Sequence, residues 1–540
     1  MDASALLDRA VAHHREGRTD AAAALYRLTL AADPDEPNAL TMLAAIDRAG
    51  GWHAAARAKL ERARGSAPAR ADIHCALGDV CRTLGDNPAA LAAYDAAIAS
   101  APQLATARMA RAELLLAMNE PARAADGLER AAATLPGQPD LLDLLGVASL
   151  RAGRFLRAEQ VFAHARALAP RRGDLAVKHG AAALENGRFA TAAAAFGDAV
   201  AAGVADAAVE TERALALLGS GRLDEGWAAY GARWRVNGEL PPAPLSRRAW
   251  AGQACAGKRV LLCAEQGVGD QLIFAAGIPP LLREIGPDGA LIVECAAKLA
   301  PLFARAWPAA IIEPARNTVA DGAAGMVRAS YGWISAHEPI DAVAAMSDLP
   351  RHRLDRLDGR PYLVADAAKA AHWRRWLDGL GSGPKIGINA RSSIDNAQRA
   401  GRVPPIEAWR ALFETFPDAQ FVNLQYDDPR GTCWAPALAG TGATVSAPPG
   451  LDQFDDLDGV AALMAGLDLV VAAPTAVACL AGAIGRPTVR LLRGNDWSML
   501  GRTHSPYSRS MDTVQLAREW YGPAAMAPAV AAARNALARP

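Results

Sequence analysis

The sequence predicts an α-helical repeat array in the first half of the chain and two α/β units in the second half. Turn residues recur from Gly17 to Gly51 to Gly85, and the same spacing continues to Gly221. After Lys258 nothing repeats, and short apolar runs alternate with helical patterns, which is typical of parallel sheets covered by helices. A Gly/Pro-rich break at Gly381–Pro384 divides the second half.

These observations predict four segments. We expect a repeat array over residues 1–236 and a linker over residues 237–257. Two Rossmann-like units are expected over residues 258–383 and 384–540. Three prolines within Pro241–Pro244 indicate that the linker is extended.

Composition indicates an ordered protein of several domains. The 540 residues are 51% hydrophobic, and 57 basic side chains balance 57 acidic ones, which gives no electrostatic reason to expect nucleic acid as a partner. Seven cysteines without a CxxC pair predict reduced thiols, a cytoplasmic location and no metal site. The first 17 residues lack the apolar segment of a signal peptide. Asp468 and Pro474 interrupt the apolar stretch Gly459–Gly485, so no membrane span is expected.

Three features recur in each repeat, and each has a physical role. Turn residues that tolerate a left-handed backbone end the first helix, namely Gly17, Gly51, Gly85, Asn119, Gly153, Gly187 and Gly221. Small residues let the second helix approach its neighbours, namely Ala22, Ala56, Ala90, Ala124, Ala158, Ala192 and Gly226. Large residues one turn later fill the gap between helices, namely Tyr26, Leu60, Tyr94, Leu128, Phe162, Phe196 and Tyr230. Prolines at Pro34, Pro68, Pro102, Pro136 and Pro170 close the units.

This pattern resembles the tetratricopeptide repeat, in an array of six to seven units. Stacked helix pairs of this kind form a superhelix with a concave face. The resemblance implies a groove that holds an extended segment of a partner protein. The alternative is a spacer or a platform for dimerisation.

In the second half, apolar runs predict strands and periodic segments predict helices. Strands are expected at Arg259–Glu265, Ala290–Cys295, Lys385–Ala390, Phe421–Tyr426, Leu469–Ala473 and Thr488–Leu492, with weaker candidates at Ile311–Ile312, Tyr331–Ile334 and Tyr362–Val364. A single helix is predicted over Gln271–Ile285. Ligands of such sheets bind at the carboxyl ends of the strands, and two units leave a cleft between them.

The loop after the first strand has two interpretations. It contains Glu265, Gln266, Gly267 and Gly269 and ends at Asp270, where a helix begins. A carboxylate at this position caps a helix by accepting backbone N–H groups. It also lies where a general base for a hydroxyl acceptor would be placed. The glycines would let a substrate approach the backbone, although they do not form the dinucleotide-binding GxGxxG motif.

The second unit carries an analogous edge. Thr475 is a suitable N-cap, and the small residues Ala476 and Val477 would admit a phosphate at the free N–H groups of the helix, although a plain helix start is the alternative. Arginine and hydroxyl groups after a strand also suit a phosphate leaving group. The remaining candidate donor-binding residues are Arg391, Ser392, Ser393, Arg402, Gln425 and Asn495. Trp497 could stack on a base or pack against the domain, and packing is the favoured interpretation.

Taken together, these motifs resemble bacterial tetratricopeptide-repeat glycosyltransferases, which are related to heptosyltransferases and have the GT-B fold. The resemblance rests on Trp227–Trp234, Trp250–Gly252, Glu265–Asp270, Val293–Cys295, Arg391–Ser393, Phe421–Tyr426 and Leu480–Gly485. It implies a metal-independent enzyme without a cofactor that transfers a sugar from a nucleotide sugar to Ser or Thr of a protein. Asp270 would be the base, and Thr475–Val477 would bind the donor phosphate.

The second unit departs from the heptosyltransferase-like pattern at two positions. Pro474 and Cys479 stand where that pattern has Asp and His. The Arg391–Ser393 segment is closer to the branch associated with flagellin modification, which implies a CMP-activated nonulosonic acid as donor and flagellin as acceptor. Two alternatives stay open. The chain is a non-catalytic scaffold with a degenerate transferase half, or an enzyme that glycosylates a cell-surface glycan.

Overall fold

The computed structural model describes residues 2–238, 248–319, 327–329, 331–392, 403–492, 494, 496–516 and 523–539. Two compact units are present, Met1–Ala182 and Ala183–Pro540. Residues 239–247 of the predicted linker, which include Pro241–Pro244, lie outside the described residues.

Up to Ala229, the described residues form seven helix pairs. The helices are α1 (Ala3–Arg15), α2 (Thr19–Ala32), α3 (Pro37–Ala49), α4 (His53–Ser66), α5 (Ala71–Thr83), α6 (Asn87–Ser100), α7 (Ala105–Ala117), α8 (Pro121–Thr134), α9 (Pro139–Arg151), α10 (Phe155–Leu168), α11 (Gly173–Glu185), α12 (Phe189–Ala201), α13 (Ala207–Gly219) and α14 (Leu223–Ala229). A 3-10 helix, Tyr230–Gly238, follows α14. The predicted helical repeat array is confirmed.

The recurring residues occupy the positions that the sequence assigns to them. All seven turn residues have a positive φ, between 60° at Asn119 and 82° at Gly221, which is the left-handed conformation that favours glycine. The recurring alanines are fully buried, and the large residues that follow them are at most 3% exposed. The spacing of 34 residues therefore reflects one packing unit in which a small and a large residue alternate along the second helix.

The first α/β region contains a four-stranded parallel sheet. Its strands are β1 (Arg259–Cys263), β2 (Ala290–Cys295), β3 (Ala310–Pro314) and, after a small antiparallel pair β4 (Asn317–Val319) and β5 (Val327–Ala329), β6 (Ala342–Ala345). The order β3-β2-β1-β6 is parallel throughout. The chain therefore reverses its direction of winding between β1 and β6, and the crevice at their carboxyl ends is where ligands of such sheets bind.

The second α/β region contains a six-stranded parallel sheet. Its strands are β7 (Lys385–Asn389), β8 (Gln420–Asn423), β9 (Val445–Ser446), β10 (Leu469–Ala472), β11 (Thr488–Leu492) and β12 (Met511–Gln515). The order β12-β11-β10-β7-β8-β9 places the reversal between β7 and β10. The predicted α/β region with parallel sheets is confirmed.

The helices of this region are shorter than the sequence indicates. The expected helix Gln271–Ile285 is two helices, α15 (Val268–Phe274) and Ile278–Ile285, separated by a 3-10 turn. Pro279 and Pro280 account for this break, because proline lacks the N–H that would continue the first helix. The other helices of six or more residues are Ala300–Ala306, Asp348–Arg353, Ala367–Asp378, Arg410–Thr415, Leu457–Met464, Ala476–Ala483 and Ala527–Ala538.

Two of the weaker strand predictions are wrong. Most of Tyr331–Ile334 lies in a 3-10 helix, Gly332–His337, and Tyr362–Val364 is irregular. The backbone N–H groups of Tyr362 and Leu363 both donate to the carbonyl of Ala483, so this segment is bound to the end of a helix instead of a strand. Short apolar runs do not distinguish these possibilities, because burial alone produces them.

The last repeat helices share one apolar core with both sheets. Leu218 and Trp227 belong to the same buried cluster as Phe274 of α15 and Val477 of the helix Ala476–Ala483. No helix in the part of the chain that the structure describes is long and apolar enough to cross a membrane.

Candidate functional site at the carboxyl ends of the two sheets

The loop after β1 is held by a buried ion pair. One carboxylate oxygen of Glu265, Oε2, accepts hydrogen bonds from Nε and Nη2 of Arg233 at 3.0 and 2.8 Å. The other, Oε1, accepts the backbone N–H of Ser347, directly after β6, at 2.8 Å. The Glu265 side chain is fully buried, so its charge is balanced inside the protein. Glu265 therefore ties the two loops of the first switch point together.

Gln266 and the glycine after it shape the turn into α15. Gln266 has a left-handed backbone with φ of 59°, which is uncommon for a residue with a side chain. Its Nε2 donates to the hydroxyl of Tyr230. Gly267 is the N-cap of α15. The loop Glu265–Asp270 is therefore a tight turn in which Glu265 binds Arg233 and Gln266 binds Tyr230.

Asp270 is the third residue of α15 and lies partly exposed at this edge. Its Oδ2 accepts the backbone N–H of Gly267 at 3.3 Å, so the capping interpretation describes one of its contacts. Burial is the main cause of the raised pKa of both Tyr230 and Cys479, and the negative charge of Asp270 adds to it. Cys479 belongs to the helix Ala476–Ala483 after β10. The helix α15, which carries Asp270, packs against this helix.

The starts of the two helices lie against each other. A Cβ atom added at Gly269 would lie 3.6 Å from both Cα and the backbone N of Ala476. The first turn of α15 and the first turn of Ala476–Ala483 are thus neighbours. The edges that follow β1 and β10, which the sequence singles out separately, form one site.

A buried amide network organises the edge of the second sheet. Asn389, at the end of β7, is fully buried and accepts the Thr475 hydroxyl at Oδ1, 2.8 Å away. Its Nδ2 donates to the carbonyl of Leu424 and to Oε1 of Gln425, both at 3.2 Å. Gln425 Oε1 also accepts the backbone N–H groups of Ala390 and Arg391. Hydrogen-bonded groups of this kind make the edge rigid, because each partner would be costly to leave unpaired.

This network assigns different tasks to the predicted donor-binding residues. Thr475 is the N-cap residue, but its hydroxyl donates to Asn389 and makes no cap hydrogen bond to the helix. The amide of Gln425 is likewise engaged within the edge. In the first turn of the helix, which includes Ala476 and Val477, the Thr475 side chain therefore does not cap the backbone N–H groups. Thr475 and Gln425 instead shape the surface around this turn.

Arg391 and Ser392 extend from the same edge. Nε of Arg391 pairs with Oδ2 of Asp427 at 3.1 Å, and the arginine side chain is 43% exposed. Ser392 Oγ accepts from the Tyr426 hydroxyl at 3.4 Å. The other predicted donor-binding residues, Ser393, Arg402 and Asn495, lie outside the described residues.

Two charged residues near this edge, Glu294 and Arg490, have properties that the sequence does not indicate. Glu294, on β2, is 1% exposed, and its Oε2 accepts the N–H of Ala264 at 3.0 Å. Burial raises the pKa of Glu294 to about 7. Arg490, on β11, forms a buried ion pair with Asp496 and also influences the pKa of Cys479. Trp497 packs near Tyr230 and Phe274, with ring centroids 5.5 and 6.5 Å apart, which agrees with its interpretation as a packing residue.

In the first compact unit, a cavity of about 310 Å³ opens on the first helices of successive repeats. It is lined by residues of α3, α5 and the start of α7, including Arg48, Asp72, Cys75, Asp79 and Thr106. The lining combines charged side chains with small ones. Across the described residues, no group of three or more His, Cys, Asp or Glu side chains is arranged to hold a metal ion.

Comparisons with known proteins identify the repeats and a related protein. The family model of the tetratricopeptide repeat matches residues 1–37, 42–105 and 177–244. Protein FlbA of Caulobacter vibrioides (strain ATCC 19089 / CIP 103742 / CB 15) is 35% identical over 266 residues, which are 48% of this chain and 44% of FlbA. The match thus spans less than half the length of that relative.

Two solved structures are similar to part of this chain. A tetratricopeptide repeat protein from Parabacteroides merdae ATCC 43184 is 16% identical, with a TM-score of 0.32, over 43% of this chain and 92% of its own. Pseudomonas aeruginosa pilF is 20% identical, with a TM-score of 0.31, over 37% of this chain and 91% of its own. From the family model and the helix pairs together, we conclude that the N-terminal part of this chain consists of tetratricopeptide repeats.

Proposed function

We propose that this protein is a protein glycosyltransferase that moves a sugar from a nucleotide sugar to a Ser or Thr hydroxyl of a protein held by the repeat array. The observation that carries the proposal is the meeting of the two switch-point edges, where α15, which carries Asp270, packs against the first turn of the helix Ala476–Ala483. An acceptor hydroxyl beside a carboxylate and a donor phosphate beside free N–H groups would be adjacent there. This placement would support the proposal, because transfer needs the acceptor oxygen close to the donor.

In the proposed reaction, Asp270 takes the proton of the acceptor hydroxyl as its oxygen bonds to the anomeric carbon. The bond between that carbon and the phosphate oxygen breaks, and the nucleotide leaves with the electron pair. The backbone N–H groups of Ala476 and Val477 would stabilise the charge of the leaving phosphate. Arg391, on the same edge, would supply a positive charge without a metal ion.

The repeat array would select the acceptor. Tetratricopeptide arrays typically bind protein segments, and the cavity over α3, α5 and α7 offers space for one side chain. Resemblance to the flagellin-modification branch makes flagellin the first acceptor to test and a CMP-activated nonulosonic acid the first donor.

Intact-mass measurement of the acceptor after incubation with the purified full chain and donor tests this proposal. Asp270→Asn should slow transfer about 10²–10⁴-fold, the range for loss of a general base. Asp288→Asn, in an exposed turn before β2, is the matched control and should transfer at the wild-type rate. Wild-type transfer by Asp270→Asn would remove Asp270 as the base.

One observation favours a second function, that of a non-catalytic scaffold. Thr475 and Gln425 are engaged inside the edge of the second sheet, and Cys479 is 6% exposed where the heptosyltransferase-like pattern has His. A scaffold would neither transfer nor hydrolyse any nucleotide sugar. The scaffold function would be excluded if the wild-type chain turned over a nucleotide-sugar donor and Asp270→Asn did not.

A further inference from the structure

The 3-10 helix Tyr230–Gly238, which ends the repeats, reaches the loop that carries Asp270. Two nitrogens of Arg233 donate to Oε2 of Glu265, and Nη2 also donates to the Ser347 hydroxyl at 3.1 Å. Both oxygens of Glu265 are thereby engaged, because Oε1 accepts the N–H of Ser347. One arginine thus joins the end of the repeats, the loop after β1 and the loop after β6.

Aromatic rings hold this arginine in place. The guanidinium carbon of Arg233 lies 4.2 Å from the ring centroids of Tyr230 and Trp234. A guanidinium between aromatic faces is stabilised by cation–π attraction and loses side-chain freedom. Tyr230 is itself fixed by Trp227 and Trp497, with centroids 5.4 and 5.5 Å away. The arginine therefore presents a fixed pair of donors to Glu265.

Tyr230 makes a second connection to the same loop. Its hydroxyl accepts Nε2 of Gln266, the residue with the left-handed backbone. Burial raises the pKa of the Tyr230 phenol, so the group stays neutral and can accept this bond. A side chain that holds a residue with positive φ keeps an unfavourable backbone conformation in place. Four residues along, the same turn ends at Asp270.

We propose that Arg233 and Tyr230 are positioning residues that set the Asp270 carboxylate through the loop Glu265–Asp270. This inference rests on the proposed glycosyl transfer for its catalytic consequence. Without Arg233, the carboxylate of Glu265 would be buried without a counter-charge, and the loop would have to open to hydrate it. Displacing a catalytic group by about 1 Å can slow a reaction about 10²-fold.

Transfer kinetics of the full chain test the inference. Arg233→Gln should lower kcat about 10²-fold with the donor KM changed less than about twofold, because the edge of the second sheet is untouched. Arg233→Lys keeps the charge but loses the paired donors, so its kcat should lie between those of Arg233→Gln and wild type. Tyr230→Phe should reduce kcat less, since only the hydroxyl is removed.

Arg235→Gln is the matched control. Arg235 lies in the same 3-10 helix, is 66% exposed and pairs with Glu210 at the surface. It should leave kcat and KM at wild-type values. A wild-type kcat in Arg233→Gln, or an equal loss in Arg235→Gln, would overturn the inference.

Hydrogen exchange gives a readout that does not depend on activity. Amides of residues 264–271 in the ligand-free full chain should exchange about tenfold faster or more in Arg233→Gln, with little change in peptides from β7 and β8. Unchanged exchange of residues 264–271 would refute the positioning role whatever the activity. Faster exchange there, together with a wild-type chain that transfers to no acceptor, would refute the proposed transferase and leave the structural connection supported.

Discussion

The buried carboxyl of Glu294 should make the protein less stable as the pH rises. Its pKa is raised from 4.5 to about 7 by burial, so the folded protein binds this proton more tightly than the unfolded chain does. Below pH 4.5 both states hold the proton and no stability is lost. Between pH 4.5 and about 7 the unfolded chain releases it first, and the free energy of unfolding falls by about 1.4 kcal/mol per pH unit.

The magnitude of the full effect follows from the size of the shift. Above about pH 7 the Glu294 carboxylate is charged and buried, with Oε2 bonded to the N–H of Ala264 and no partner for Oε1 among the described residues. The cumulative loss is about 3 kcal/mol. Glu294→Gln keeps an acceptor for Ala264 and cannot ionise. Its stability relative to wild type should therefore increase by about 3 kcal/mol between pH 4.5 and pH 8.

Urea unfolding measures this difference. Hydrogen exchange of the peptides that contain β1 and β2 reports the unfolding transition, and variant and wild type are compared at each pH. Because several domains are present, a local reporter is needed in place of a global one. Glu225→Gln, in an exposed pair with Arg222, is the control and should not alter the pH dependence. The reasoning would be refuted if the difference between Glu294→Gln and wild type were the same at both pH values.

Two further substitutions test packing and the buried network. Gly78→Ala would place a Cβ 2.5 Å from the ring of Tyr94, so we expect overpacking to lower the free energy of unfolding by about 1–3 kcal/mol, in part offset by better helix propensity. Gly65→Ala has open space around the added Cβ and should leave the free energy of unfolding unchanged or raise it. Thermal unfolding of the two variants checks this, and equal melting temperatures would contradict it. Asn389→Ala leaves the Thr475 hydroxyl without its acceptor, at a cost of about 1–3 kcal/mol for each buried group left unpaired, and should weaken nucleotide-sugar binding measured by calorimetry. Wild-type affinity would show that the network does not shape the donor site.

The repeats could be predicted from sequence almost residue by residue. Each feature of the unit is local: a left-handed turn, a small residue five positions later and a large one after another turn of helix. Local geometry depends on nearby residues, so a constant spacing reports it directly. The same holds for the two strand–loop–helix edges at Asp270 and Thr475, because the order of strand, loop and helix along the chain is local.

The switch points and the residues that support them could not be predicted in this way. Arg233 meets Glu265 across 32 residues and Ser347 across 114 residues, and no spacing in the sequence connects them. Glu294 belongs to the Val293–Cys295 motif, but nothing in the sequence indicates that burial raises its pKa. Such properties depend on which strands become neighbours.

The sequence by itself therefore determined the classes of element: a helical repeat array with fixed turns, followed by strands and helices in alternation. It also determined which short segments follow strands and begin helices. Only the tertiary structure decided that α15, which carries Asp270, and the start of the helix Ala476–Ala483 are neighbours. It also decided that the Thr475 hydroxyl donates a hydrogen bond to Asn389. The physical reason is that helix and turn preferences act within a few residues, whereas ion pairs, buried carboxyls and clefts arise from contacts between distant segments.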